Sequence, residues 1–171
     1  MFDFLAQPLR PPGAKAENKF LALCVRCGKC LEACPHGSIK LSRSWGRGRL
    51  APYVDIASAP CQLCMKCPPV CPTGALDPAL DDLNKVKMGQ AYILKDKCHN
   101  YTDGIMCMTC HDRCPVRGRG IVLEMGLTPA VTGACSGCGV CAYVCPVDAI
   151  VIVPQGSGYA PGNALPLASL P

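Results

Sequence analysis

Sixteen cysteines in 171 residues constrain this chain more than any other feature, because their spacing leaves few uses for them. Cys24, Cys27, Cys30 and Cys34 are followed by Pro35, a C-x2-C-x2-C-x3-C-P run. The spacing recurs at Cys61, Cys64, Cys67, Cys71 and Pro72, and again at Cys135, Cys138, Cys141, Cys145 and Pro146. A stretched copy occupies Cys98, Cys107, Cys110, Cys114 and Pro115, so the four runs use every cysteine. Disulfide frameworks have irregular spacings, whereas four repeats of one ligand pattern point to metal. Aromatic residues are only 5% of the chain, thin for a conventional core, and small chains short of core area are commonly held by metals.

This run is the one that holds a cubane [4Fe–4S] cluster in thiolates. Cysteines three apart wrap one corner of a cube. The third and fourth, four apart, face the same way on a helical turn, with Cβ atoms about 5–6 Å apart. One loop does not offer all four sulfurs tetrahedrally to a single cube, so the fourth serves the neighbouring cluster. Zinc pairs two C-x2-C hairpins and has no use for a third cysteine at the same interval. The sixteen cysteines are therefore expected to ligate four [4Fe–4S] clusters. With every cube fully ligated and no catalytic residues evident, the chain is expected to be a non-catalytic electron carrier. A rival of another class keeps the clusters purely structural, as in some nucleic-acid enzymes, but no DNA-reading motif accompanies them.

Which runs share clusters is less constrained. The residue after the second cysteine is Gly28 in the first run and Gly139 in the fourth, but Met65 in the second and Met108 in the third. Contacts of this kind tune potentials, and like pairs favour a nested plan. Cys24, Cys27 and Cys30 would then join Cys145, and Cys135, Cys138 and Cys141 would join Cys34. The inner clusters would use Cys61, Cys64, Cys67 with Cys114, and Cys98, Cys107, Cys110 with Cys71. The competing plan pairs consecutive runs.

The expected fold is α+β, two fused bacterial ferredoxin-like modules of two [4Fe–4S] clusters each, with extended termini. An N-terminal arm covers 1–19, the cluster domain 20–153 (20–60 with 115–153 around 61–114), and a Pro/Gly-rich tail 154–171. Alternating patterns predict strands over 38–42, 50–56, 90–95, 121–125 and 150–153. Asp77-Pro78 reads as a helix start, with an N-cap and a proline at the first helical position, and Gly89 as its stop. Trp45 reads as a lid or a surface contact. The insertion 99–106 in the third run is a candidate electron exit, since loops carry contacts. His36, His99 and His111 read as groups beside the sites, because the thiolates are already complete.

The formal charge of +5 suggests nucleic acid only until the thiolates and clusters are counted, which brings it to about −3, although Arg43, Arg47 and Arg49 remain a possible local patch. No window reaches the ~18 apolar residues of a membrane span, and the start lacks a basic, apolar or twin-arginine leader. A cytoplasmic chain is expected, where free thiols survive for cluster assembly. The alternative is a periplasmic one whose leader has been removed.

Beyond the ligands, Arg10-Pro11-Pro12-Gly13-Ala14, Phe20 through Cys30, Pro60 through Pro78 and Met88-Gly89 resemble the NapG/MauM polyferredoxins over about residues 10–153. The resemblance implies a four-cubane subunit passing electrons between a redox enzyme and a second carrier. In that family the setting is usually beside a membrane quinol oxidase, serving a periplasmic reductase or dehydrogenase. The chain is also similar to the small iron–sulfur subunit of tungsten-dependent aldehyde oxidoreductases. That likeness implies a tungsten or molybdenum catalytic subunit and a flavin subunit that reduces NAD as partners, with self-association into filaments. The second setting is the preferred expectation, because it matches the absence of a leader.

Overall fold

Three antiparallel strand pairs, none longer than five residues, carry the backbone between the cysteine runs. The computed structural model describes residues 7–42 and 50–157. β1 (Ile39–Leu41) pairs with β2 (Pro52–Val54), Ile39 opposite Val54. β3 (Gly89–Ile93) pairs with β6 (Ile150–Pro154), and β4 (Ile121–Glu124) with β5 (Thr128–Val131). The helices are α1 (Glu17–Leu23), α2 (Lys29–Glu32), α3 (His99–Thr102), α4 (Thr109–Asp112) and α5 (Val140–Tyr143). One-turn helices and two-stranded ladders are marginal alone. What they pack against must hold them.

The order of elements repeats. In the first half a cysteine run leads into the β1–β2 hairpin, a second run follows, and a single bridge between Ala14 and Leu76 closes the unit. In the second half the third run leads into the β4–β5 hairpin, the fourth run follows, and the full β3–β6 ladder closes it. Strands were expected in all five of these stretches; β5 was not foreseen. Its Thr128-Pro129-Ala130-Val131 is too short and mixed to show a period, and pairing with β4 makes it a strand.

Three apolar cores hold these elements, and each contains cysteines. Phe20, Ile39, Ala51 and Leu76 surround Cys67 in the first half, and Ile93, Ile121, Val131 and Ile150 surround Cys110, Cys135 and Cys141 in the second. Between the halves, Leu9, Val54, Val86, Met88, Val116 and Val140 enclose Cys61 and Cys138.

The N-terminal arm is part of the body from residue 7 onward. Leu9, Arg10, Pro11 and Pro12 are buried, and the Val54 N–H donates to the Leu9 carbonyl at 2.7 Å. The expected boundary after residue 19 falls inside α1. The helix expected from Asp77 does not form. Asp77 Oδ1 instead accepts the Ala79 N–H, a local turn that competes with helix, and only a 3-10 turn, Leu83–Lys85, follows under an Asp82 cap. Trp45, the Arg43, Arg47 and Arg49 patch, and the tail beyond 157 lie outside the described residues. No helix among the described residues is long and apolar enough to cross a membrane.

Candidate metal centres

Each hairpin folds back on itself and so lays the run before it beside the run after it. The sulfurs gather accordingly. Cys24, Cys27 and Cys30 line one cup with Cys71 of the second run. Cys61, Cys64 and Cys67 line another with Cys34. Cys98, Cys107 and Cys110 share a third with Cys145. The last set is Cys135, Cys138 and Cys141 with Cys114, which lies within electrostatic reach of Cys135, Cys138 and Cys141.

Consecutive runs therefore share cups, and the nested plan is corrected. Cys24 and its neighbours do not join Cys145, nor do Cys135 and its neighbours join Cys34. Cys61, Cys64 and Cys67 do not join Cys114, and Cys98, Cys107 and Cys110 do not join Cys71. The likeness between Gly28 and Gly139 records a shared local turn rather than a shared cluster. Both sit at positive φ (79° and 88°) and open the one-turn helices α2 and α5. The hairpins decide the pairing. The links between runs one and two and between runs three and four form β1–β2 and β4–β5, which bring those runs together.

The cysteine loops have a common backbone. In the first, second and fourth runs, the residues on either side of the second cysteine are left-handed: Arg26 and Gly28, Leu63 and Met65, Gly137 and Gly139. Alternating handedness turns successive N–H groups toward one point, an anion-binding concavity. Arg26, Leu63 and Met65 adopt it at a cost on the order of 1 kcal/mol each, a price that a filled site offsets. The glycines were readable in the sequence as a signal. The three side-chain-bearing positions were not.

The fourth cysteines have their own device. Three residues after Cys34, Cys71 and Cys145 stand Gly37, Gly74 and Asp148, all at positive φ. That turn brings backbone N–H groups onto the sulfur, with Leu76 donating to Cys71 Sγ at 3.4 Å and Ala149 to Cys145 Sγ at 3.2 Å. Burial pushes the Cys34 and Cys71 thiols up, but these amides, with the Ser38 and Thr73 hydroxyls, bring both below the ordinary range. The loop cysteines go the other way. Burial, reinforced by neighbouring cysteines, lifts Cys30 to about 11 and Cys61 and Cys110 to about 12, and raises Cys141 well above its usual value. Metal entry therefore displaces protons from these cups. The third and fourth cysteines flank a helical turn in three runs. In the second, Pro68 and Pro69 replace it with tight turns.

These cups fit the expected clusters. Donors are four soft thiols per site, and all sixteen cysteines are free of disulfides. Among the described residues no three ligand-type side chains converge closely enough to hold a single ion. His36 borders the Cys34 cup and His99 the Cys107 cup. His99 Nδ1 pairs with Asp103 at 2.7 Å and His111 with Asp112 at 3.1 Å. The insertion 99–106 is pinned by Asn100, whose amide donates to the Leu127 carbonyl at 2.8 Å while its oxygen accepts the Cys107 N–H at 3.1 Å.

Comparison with known proteins finds iron–sulfur domains over three of the four runs. A 4Fe-4S dicluster domain matches residues 23–75, spanning the first two runs, and a 4Fe-4S binding domain matches residues 131–151 around the fourth. The methylamine utilization ferredoxin-type protein MauM of Methylorubrum extorquens is 38% identical, over 90% of this chain and 76% of its own. The ferredoxin-type protein NapG of Escherichia coli is 37% identical, over 85% and 70%. MauM of Methylobacillus flagellatus is 40% identical, over 93% and 74%.

Proposed function

The chain belongs to the NapG/MauM family of ferredoxin-type iron–sulfur proteins, and on that premise we propose that it is a four-cluster electron-transfer subunit, two fused ferredoxin-like modules working between two protein partners. The observation that carries the reading is the composition of the cups, three sulfurs from one run and the fourth from the run paired with it. Clusters bound there supply reversible one-electron chemistry. The chain's part is to hold the thiolates, direct amides onto the fourth cysteines, and exclude water from Cys61, Cys67, Cys110, Cys135, Cys138 and Cys141, all buried. Hydrogen bonds to sulfur and burial are the levers that set potential.

The partners proposed are a membrane quinol oxidase on one side and a reductase or dehydrogenase on the other, following the family. The relatives, ferredoxin-type proteins of which MauM serves methylamine utilization, support this setting over the expected tungsten aldehyde oxidoreductase and flavin pair. Oxygen-free purification with iron and sulfide analysis tests the site reading. About sixteen irons per chain are expected from four cubanes, and zinc or far less iron overturns it. A redox titration that failed to cycle the clusters would favour a structural role. Co-purification identifies the setting, and recovery of a flavin or tungsten subunit would overturn the quinol-oxidase reading.

A further inference from the structure

The order of the four cups in space differs from their order in the chain. Each of the three apolar cores spans one junction. The core of the first half joins the Cys24/Cys27/Cys30/Cys71 cup to the Cys34/Cys61/Cys64/Cys67 cup, through Cys30, Cys34, Cys67 and Cys71. The core between the halves brings Cys61 of the second cup to Cys138 and Cys114 of the cup built on the fourth run. The core of the second half joins that cup to the Cys98/Cys107/Cys110/Cys145 cup, through Cys135, Cys141, Cys110 and Cys145.

We propose, building on the four-cluster reading, that the sites form one row that crosses between halves, among the described residues, at a seam of Cys61 and Cys138. The cup of the fourth run then lies inside the row, and the cup of the stretched third run at its end. The seam is direct. The Cys61 N–H donates to the Cys138 carbonyl at 3.0 Å. Gly139 makes the approach possible, because a Cβ there would lie 2.6 Å from the Ile56 side chain. Gly139 is also left-handed, so loop conformation and close contact demand the same residue.

Location within the row gives the cups distinct roles. Cys27 and Cys64 are exposed, so both sites of the first half meet the surface. Cys135, Cys138 and Cys141 are all buried, which makes the fourth-run cup a through-station. Electrons passing between the first half and the third-run cup must use it. The insertion 99–106, with Ile105 and Met106 more than half exposed, stands at that far end.

The test uses the iron-loaded protein and reads magnetic coupling between reduced clusters by electron paramagnetic resonance. Gly139→Ala drives a Cβ into the Ile56 side chain across the seam. With iron content intact, it should lose the coupling between halves and keep the coupling within each half, and adding Ile56→Ala returns the space. Should the single variant fail to assemble, Ile56→Phe presses on the same contact from the first half. Coupling lost in the single variant and regained in the double supports the seam. Undiminished coupling between halves in a fully loaded Gly139→Ala protein, or loss that the double variant does not restore, overturns it. A wild-type iron count well below sixteen would instead refute the four-cluster reading, so the two failures are distinguishable.

Discussion

Arg10 and Glu17 form the tie that fastens the N-terminal arm to the first half, and removing either should loosen it measurably. Arg10 is 6% exposed and Glu17 24%. The guanidinium donates through Nε to Glu17 Oε2 at 2.9 Å and through Nη2 to Oε1 at 2.6 Å, a two-pronged pair. Its Nη1 reaches the Pro52 carbonyl on β2 at 2.8 Å, and its plane lies 4.9 Å from the Phe20 ring. Breaking a buried pair by removing one partner costs about 3–5 kcal/mol. The partial exposure of Glu17 lets water replace some of what Arg10 loses, so Glu17→Ala is expected near the low end, about 3 kcal/mol. Arg10→Met keeps the apolar stem and leaves a carboxylate that water reaches, at about 2 kcal/mol. Because each single change already breaks the pair, the double variant should cost about 2 kcal/mol less than their sum. Unfolding with bound cofactors is not two-state, so the assay is the rate of unfolding in oxygen-free denaturant, followed by loss of visible absorption. A coupling of ~2 kcal/mol corresponds to about 30-fold in the ratio of rates around the cycle. Rate effects that simply multiply would refute the argument, because they would mean that Arg10 and Glu17 act independently.

Gly120→Ala places a Cβ 2.6 Å from Val116 Cγ2 and 3.2 Å from Cys114 Sγ, and should lower iron content by about one cluster's worth. Adding Val116→Ala should restore it, as iron analysis would show. Asn100→Ala strips the Cys107 N–H of its acceptor and the Leu127 carbonyl of its donor, a loss of about 1–3 kcal/mol. It should speed removal of about a quarter of the iron by a chelator, leaving the remainder at the wild-type rate; uniform acceleration would contradict a local role. Replacing His36, His99 and His111 together by alanine should leave iron content unchanged, and any loss would make one of them a ligand.

The cysteine runs were legible because ligand spacing is a local property, written over eleven consecutive residues. The strands at 39–41, 52–54, 89–93, 121–124 and 150–154 were legible for the same reason, since a period of two survives in short apolar runs. Asp77 misled because its side chain satisfies a cap and a tight turn equally well, and nothing local distinguishes them. Gly28, Gly139, Met65 and Met108 misled in a different way. Met65 is left-handed like the two glycines and Met108 is not, so residue identity at that position carries no information about the partner run. Arg26, Leu63 and Met65 took left-handed conformations that no residue preference would announce.

Taken alone, the sequence determined the four cysteine runs, their spacing and the iron–sulfur chemistry that suits them, because the distance between sulfurs within a loop is set by a few backbone dihedrals. Tertiary structure alone decided which loop completes which cup. It also decided that Cys61 meets Cys138 across the halves. Those choices depend on hairpins closing and on close contact, permitted by Gly139, between segments about eighty residues apart, and no local pattern encodes a contact of that range.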